Sequence, residues 1–423
     1  MPNATASPPA PHGAGPGPRF GLFVALIAAL MAVTPLGIDS MLPALPHIGR
    51  SLGISNENHQ QWVIAVYVFG FGLAQIVYGP LSDRFGRKPV LVPSMILFAC
   101  LSILAGFAWS FPLLLVARLL QGIAGASSRV LTISIVRDCY SGRQMARVMS
   151  TSFMVFLMVP IFAPSIGQGI MLVGSWRLIF FFLAAFALLV ATILGLVLGE
   201  TLHPEYRRPL SPRAIWQAIH RTLTERSALG YMIAIALVFG SLMGFINSVP
   251  QIFQDVFHAP GRFPLVFAGI GLSMAVAAFV NSRIVERLGT RKVSHSALIG
   301  MIAVAGVHSL VAVSGRETVL SFALLQFATM FCFGLIGSNF GSMAMENVGE
   351  IAGTASSVQG FFSTCSGVLL GLVIGQSFNG TVLPLTLGYF LLGLAALLVV
   401  FITERGKLFR AHHAGAATSA PPR

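Results

Sequence analysis

Apolar residues form long runs along this chain, and polar residues gather in the short segments between them. A helix of about 20 apolar residues is long enough to cross the hydrocarbon core of a bilayer. The pattern therefore predicts an all-α membrane protein with twelve transmembrane helices. The predicted spans are 20–46, 60–80, 90–108, 111–136, 147–172, 176–199, 228–254, 264–284, 293–313, 318–344, 352–377 and 383–403.

Two sequence repeats divide these spans into pseudo-symmetric halves of six. The segment SDRFGRK at 82–88 returns loosely as VERLGTRK at 285–292, and IGQ occurs at 166–168 and 374–376. The two offsets are nearly equal, as expected after a duplication, and such halves are typical of transporters that bind substrate between them. We predict a disordered N-terminal tail (1–18), a first half (19–199), a linker (200–227), a second half (228–406) and a C-terminal tail (407–423).

The composition agrees with a membrane protein, because 55% of the residues are hydrophobic, 9% are charged and the mean hydropathy is +0.83. Four of the 26 Lys and Arg lie in odd-numbered connections, and two, Arg118 and Arg129, lie inside the fourth span. The other 20 lie in the tails and the even-numbered connections. This positive-inside asymmetry predicts that both termini and the linker are cytoplasmic. Since the net charge of +13 reflects topology, no nucleic-acid partner is expected.

Several kinds of chemistry have no motif in this sequence. The four cysteines show no CxxC or metal-ligand spacing, so neither a disulfide nor a metal site is predicted. No GxxxxGK[ST] loop is present, which argues against direct use of ATP and favours an ion gradient as the energy source. HExxH and GxSxG motifs are also absent, so we expect neither an enzyme nor a bound cofactor.

The loop GPLSDRFGRKPVLV at 79–92 joins the second and third spans and combines glycines with charged residues. Gly79 permits close helix approach and Gly86 permits a tight turn. An acid here can pair with arginines or with a helix N-terminus, and can stabilise one arrangement of the halves. We predict conformational gating by Gly79, Asp83, Arg84, Gly86, Arg87 and Lys88. The simpler interpretation is a basic turn that only fixes the topology.

This loop resembles the signature loop of the major facilitator superfamily. Three further segments resemble the twelve-helix drug:proton antiporters of the bicyclomycin and chloramphenicol resistance type: LGIDSMLPALPHI (36–48), ARLLQGIAGA followed by IVRDCYSGRQMARVMS, and APSIGQG (163–169). The resemblance implies the major facilitator fold, multidrug efflux, a bacterial inner-membrane location and a monomer. It also implies a gating role for Gly167, to which we add Pro164 because proline can break a helix locally.

The chain departs from these motifs at a few positions. Gln168 stands where the antiporter motif has its second glycine, and Ser40 and Met41 replace the Met-Tyr that follows the aspartate. Arg129 occupies a position that is small or apolar in such exporters. The extra cation leaves room for an anionic solute.

Asp39 lies in the segment TPLGIDSMLPALP, which otherwise has the composition of the outer part of a spanning helix. Asp39 and Arg118 both lie seven residues from the predicted periplasmic ends of their spans, about 10 Å deep, so they can meet at one level. An ionisable residue at this depth costs at least ~2.5 kcal/mol unless it is paired or hydrated. A carboxyl group that alternates between a cation and apolar surroundings takes up and releases a proton. We predict that Asp39 is the proton carrier and Arg118 its partner.

One face of the fourth span carries Arg118, Gly122, Gly125 and Arg129 at four-three-four spacing, with the cations about 16 Å apart. Glycines there allow close approach to the backbone. We predict a substrate site formed by Arg129, Gly122, Gly125, Gln121, Asn247 and Asn339. Alternatively, the glycines pack against a helix, each arginine extends towards its nearer membrane surface, and the asparagines form interhelical hydrogen bonds.

Three functional hypotheses remain open. The first is a proton-coupled exporter of small amphipathic compounds that works by alternating access, with the substrate, protons and the lipid bilayer as its partners. The second is a proton symporter that imports a specific solute, such as an anion held by Arg129. The third is a membrane receptor or scaffold, which would not need Asp39. The segment APSIGQG favours export.

Overall fold

A computed structural model describes residues 20–207 and 212–409, and within these ranges all regular structure is helical. The predicted tail 1–18, residues 208–211 of the predicted linker and residues 410–423 of the predicted C-terminal tail lie outside the described residues. The α-helices are α1 (Phe20–Asp39), α2 (Leu45–Ser51), α3 (Trp62–Phe85), α4 (Arg87–Gly106), α5 (Phe111–Cys139), α6 (Gly142–Val173), α7 (Arg177–Val197), α8 (Pro212–Thr224), α9 (Arg226–Gln251), α10 (Phe263–Leu288), α11 (Thr290–Val313), α12 (Val319–Met345), α13 (Ala352–Gln376) and α14 (Leu383–Thr403).

Twelve helical segments of the described chain are long and apolar enough to cross a membrane, and each coincides with a predicted span. The twelve-helix prediction is therefore confirmed. The helix ends extend further than the apolar runs. For example, α5 continues through Arg137 and Asp138, because polar residues are tolerated where a helix leaves the hydrocarbon core.

The first predicted span is wrong in one respect, because it is not a single helix over 20–46. α1 ends at Asp39, and a 3₁₀ turn over Leu42–Ala44 precedes α2. Pro43 explains the break: it has no N–H to donate to the carbonyl of Asp39 four residues earlier, and its ring would clash with that carbonyl. The Ser40 hydroxyl donates instead to the Leu36 carbonyl at 2.6 Å. Asp39 therefore stands at a helix end.

The helices pack in two groups that follow one another along the chain. The first group contains α1 and α3 to α7, and the second contains α9 to α14. The groups meet mainly where α3 packs on α13 and where α6 packs on α10. Helix α8 lies between them in the chain, within the predicted linker, and contacts α9 and α13.

Two turns at one end of the bundle have the same backbone form. Gly86 joins α3 to α4 with a φ of +103°, and Gly289 joins α10 to α11 with a φ of +82°. A positive φ favours glycine, which lacks a Cβ. These turns are the two copies of the repeated SDRFGRK motif. We call the end that holds them the basic end, and the opposite end, which holds α2, the distal end.

Candidate transport cavity

A cavity of about 1120 Å³ lies between the two groups of helices. Its walls come from α1, α3 and α5 on one side and from α9 and α13 on the other. Asp83 and Arg137 line it at the basic end, and Asp39 is the α1 residue of the lining that lies nearest the distal end. Pockets for drug-sized ligands usually measure about 300–1,000 Å³, so the cavity can hold such a molecule.

Asp39 lies at the inner end of this cavity. It lines the same wall as Pro35 and Ile38, and the residue is only 4% exposed. Its carboxyl group forms no hydrogen bond or ion pair with any residue in the described ranges. Because no protein partner competes for the group, Asp39 can exchange a proton with water that enters the cavity.

Arg118 is fully buried in α5, and its guanidinium donates in three directions. Nε donates to the carbonyl of Val63 at 3.0 Å, and Nη1 donates to Gln121 Oε1 at 2.7 Å. Nη2 donates to the carbonyl of Gly37 at 2.9 Å. Arg118 therefore reaches α1 two residues before Asp39, at the level that the depth argument predicts. Within the described residues, however, no ion pair joins the two side chains.

The two glycines predicted to bind substrate face α3. A Cβ at Gly122 would lie 1.9 Å from the carbonyl oxygen of Tyr67, and one at Gly125 would lie 3.2 Å from its hydroxyl. Gln121 is also buried and donates to the Ser102 hydroxyl at 2.6 Å. None of the three is among the described residues that line the cavity. Their placement favours helix packing over substrate contact.

Arg129 projects from α5 into the cavity and is exposed there. Its guanidinium carbon lies 5.6 Å from the centre of the Phe156 ring. It forms no hydrogen bond or ion pair with any other residue that the structure describes. Among the six predicted substrate residues, Arg129 is the one that lines the cavity.

The two predicted asparagines lie outside the cavity lining. Asn339 Nδ2 donates to Asn281 Oδ1 and to the Leu335 carbonyl, both at 2.7 Å, and the first of these bonds links α12 to α10. Asn247 is buried in α9, where a Cβ at Gly375 would lie 3.1 Å from its own. Both residues thus lie between helices of the second group.

Gln75 is a cavity residue that the sequence analysis missed. Its Nε2 donates to Thr364 Oγ1 at 3.1 Å, which joins α3 to α13 across the boundary between the groups. Gln75, Gly79 and Asp83 follow one another at four-residue spacing on α3, and all three line the cavity. Such spacing places side chains on one helix face, so extending the stripe back from the recognised loop would have found Gln75.

The predicted gating loop forms an ionic cluster at the basic end. Arg87 donates from Nε to Asp138 at 2.9 Å and from Nη1 to Asp83 at 2.7 Å. The carboxylate of Glu200 accepts the backbone N–H groups of Arg87 at 2.9 Å and Lys88 at 3.2 Å, and so caps α4. The cluster ties the ends of α3, α4 and α5 to the segment after α7.

The remaining predicted gating residues lie at three different places. Gly79 lines the cavity, and the Arg84 guanidinium lies 5.2 Å over the neighbouring phenylalanine ring. Pro164 is buried in α6, which continues through it. Gly167 packs against the break after α1, since a Cβ there would lie 2.0 Å from the Ser40 carbonyl oxygen. Gly167 therefore sets how closely α6 approaches the residue after Asp39.

Four amide side chains, here called the distal amides, join the two groups at the distal end. Gln61 donates to Gln251 and to the Gly375 carbonyl, and Gln251 donates to Asn58 Oδ1 at 2.9 Å. Gln376 donates to the carbonyl of Asn58 at 2.7 Å. Since the cavity reaches the basic end while these bonds join the distal end, the protein is open at the basic end and closed at the distal end.

Comparison with known proteins relates this architecture to transporters. The family model of the Major Facilitator Superfamily matches residues 25–375. A bicyclomycin resistance protein homolog of Haemophilus influenzae is 28% identical over 390 residues, which cover 91% of this chain and 96% of that protein. The multidrug resistance protein MdtL of Shewanella oneidensis is 29% identical over 367 residues, covering 85% and 91%.

A solved structure shows the same fold. The crystal structure of the human organic anion transporter MFSD10 (TETRAN) has a TM-score of 0.62 and 18% identity to this chain, covering 90% of it and 100% of the human chain. At this identity the likeness concerns the fold alone. The resemblance drawn from the sequence motifs is confirmed by the family match and by the names of the bacterial relatives.

Proposed function

Since the chain belongs to the Major Facilitator Superfamily, we propose that it exports small amphipathic compounds in exchange for protons. It is a multi-pass membrane transporter, and members of this family are transporters rather than enzymes. Relatives named for bicyclomycin and multidrug resistance support drug efflux as the direction. We further propose that it works as a monomer in a bacterial inner membrane.

The charge distribution supports an orientation with the basic end in the cytoplasm. Cytoplasmic connections carry an excess of Lys and Arg, and 20 of the 26 basic residues lie in the tails and even-numbered connections. In this orientation the cavity is open to the cytoplasm, where an exporter takes up its substrate. The distal amides then close the periplasmic side.

The single observation that carries the proposal is the unpaired carboxyl group of Asp39 at the inner end of the central cavity. When the cavity opens to the periplasm, Asp39 takes up a proton. When it opens to the cytoplasm, the proton leaves and the substrate binds ionised Asp39 in its place. Arg118 holds the α1 backbone beside this group. Each proton that enters supplies ~2.3 kcal/mol per 100 mV of membrane potential.

Proteoliposomes with an imposed pH gradient test the proposal, with ethidium as the transported cation. We expect wild-type protein to move ethidium against the proton flow, and Asp39→Asn to reduce this pH-driven flux at least about tenfold, because an amide cannot carry a proton. Asp255→Asn is the matched control: it makes the same change at an acid outside the cavity lining, and the flux should remain.

Two outcomes would contradict this function. Full pH-driven flux in a folded Asp39→Asn variant would exclude Asp39 as the carrier, whereas no pH-driven flux from the folded wild-type protein would support the receptor or scaffold hypothesis. Accumulation of a solute in the same direction as the protons would instead support the symporter. The observation that favours the symporter is the unpaired Arg129 in the cavity.

A further inference from the structure

We infer, resting on the proposed function, that the preferred substrates are zwitterionic amphipaths whose acidic group binds Arg129 and whose cationic group binds Asp39. The inference concerns the substrate class of the same cavity. It follows from the charged residues of the cavity wall that form no ion pair or hydrogen bond with the other described residues.

Six charged residues line the described cavity, and three of them pair with one another and together keep one negative charge. Arg87 binds both Asp83 and Asp138, so these three are not free for a ligand. The residues without an ion pair or hydrogen bond among the described side chains are Asp39, Arg129 and Arg137. The cavity therefore offers a ligand one anionic group at its inner end and two cationic groups on α5.

Arg129 and Arg137 differ in their distance from bulk water. They lie eight residues apart on one face of α5, about 12 Å along the axis. Arg137 is near the end of its helix at the cavity mouth, whereas Arg129 lies two turns deeper beside the Phe156 ring. A cation inside a membrane protein is costly unless it is paired or hydrated, and a ligand that fills the cavity displaces the water around Arg129. Arg129 is therefore the residue that gains most from an acidic ligand.

The shape of the arginine side chain supports a carboxylate as its ligand. A guanidinium presents a planar fork of N–H donors that can bind both oxygens of one carboxylate. The aromatic ring beside it provides apolar surface for the body of an amphipathic compound. Arg129 thus combines the charge and the contact surface that an aromatic or aliphatic acid would use.

Exchange with protons requires that the substrate also carry a positive group. A purely anionic compound would bind best while Asp39 is protonated, since the cavity then carries one net positive charge, and it would travel with the proton. A cationic group instead favours ionised Asp39 and competes with the proton, which gives exchange. A zwitterion satisfies both unpaired charges and remains compatible with antiport.

Rhodamine B and its ethyl ester form a suitable probe pair, because they share one cationic ring system and differ in the free carboxylate. We would measure the binding of each dye to the purified full chain in detergent by fluorescence polarisation. Wild-type protein should bind the acid more tightly than the ester. Arg129→Gln should weaken binding of the acid about tenfold or more, the loss typical of a charge-assisted hydrogen bond, and leave binding of the ester unchanged.

Two further variants test whether Arg129 binds the acid by direct contact or only attracts it through the overall positive charge of the cavity. Arg129→Lys keeps the charge and should retain part of the preference for the acid. Arg137→Gln removes the same charge at the solvent-exposed mouth, where screening is strong, and should change binding less than about threefold.

The inference is overturned if wild-type protein does not prefer the acid, which includes the case in which neither dye binds, or if Arg137→Gln weakens binding as much as Arg129→Gln. Proton-driven export of the ester alone would refute the zwitterion and leave the proposed function intact. If wild-type protein prefers the acid but shows no proton-driven export, the proposed function is refuted instead.

Discussion

Arg118 ties the backbones of two other helices to α5 through one planar group. Its donors reach carbonyl groups of α1 and α3 as well as a side chain of its own helix. The ring of Tyr67 lies under it, with 4.1 Å between the guanidinium carbon and the ring centre. Water is scarce at this depth, so the carbonyl of Gly37 near the end of α1 would lose its donor if the guanidinium were lost. Arg118 therefore fixes the position of α1 beside Asp39.

The variant Arg118→Lys tests this role at the scale of one residue. An ammonium group is a compact donor and cannot reach the three acceptors in their fixed directions. We expect a loss of about 3 kcal/mol or more in stability, seen as a lower unfolding temperature in detergent, together with loss of pH-driven flux. Arg316→Lys, in an exposed connection, should shift stability by less than about 0.5 kcal/mol. An unchanged unfolding temperature for Arg118→Lys would contradict the role.

The depth of Asp39 and Arg118 could be predicted from the sequence because rise per residue is a local property of a helix. The groups that these two side chains contact could not be predicted in this way. The acceptors of Arg118 on α3 and α1 lie 55 and 81 residues away, and which carbonyls they are depends on how neighbouring helices rotate. The same holds for Gly122, since spacing places it on the face of Arg118 but does not say which helix that face meets.

At the scale of elements, α3 and α5 pack with their backbones in contact. A Cβ at Gly70 would lie 2.2 Å from the carbonyl oxygen of Leu119, and a Cβ at Gly122 would lie 1.9 Å from that of Tyr67. Glycines on both helices therefore create this interface, as small residues do in membrane helix pairs. The contact carries Arg118 and Tyr67 into position next to α1.

Gly122→Ala should separate these two helices. The added methyl group meets backbone, which cannot rotate away, so we expect a loss of roughly 1–3 kcal/mol or more from overpacking and a lower unfolding temperature. The matched control is Gly169→Ala in α6, where a Cβ would meet nothing within 4 Å, and where alanine should be neutral or stabilise the helix slightly. Equal unfolding temperatures for the two variants would contradict the packing role.

The helices themselves could be predicted, but the ionic clusters that join their ends could not. Arg291 lies in the first turn of α11 as Arg87 lies in that of α4, and it donates to Glu404 and Glu346, both at 2.9 Å. Glu404 follows Arg291 by 113 residues, and Glu200 follows Arg87 by the same 113. The repeat of the loop motif pointed to the arginines. The acids lack a motif of their own and are recognisable only when the two halves are compared as whole units.

At the scale of the molecule, the two ends of the bundle are held by different chemistry. The Arg87 and Arg291 clusters at the basic end each lie within one half. The distal amides, in contrast, cross between the halves through neutral hydrogen bonds. Neutral bonds can break without leaving a charge unpaired, which suits a contact that must open in each transport cycle.

The distal amides should therefore set the balance between the closed and open distal end. Gln61→Ala removes the bonds from Gln61 to Gln251 and to the Gly375 carbonyl. At about 1 kcal/mol net for each of these two hydrogen bonds, we expect the distal-open population to rise roughly thirtyfold. Spin labels at Ser55→Cys and Asn379→Cys, in a chain without its native cysteines, should report this as a larger share of long distances.

The matched control for this experiment is Asn339→Ala, which also breaks amide hydrogen bonds, but bonds that lie within the second half alone. It should leave the distance distribution unchanged, because the free-energy difference between the two arrangements depends only on contacts that differ between them. If Gln61→Ala and Asn339→Ala gave the same distribution, closure would have to come from helix packing. A shift confined to Gln61→Ala would identify the distal amides as the contact that an exporter must break to release its substrate.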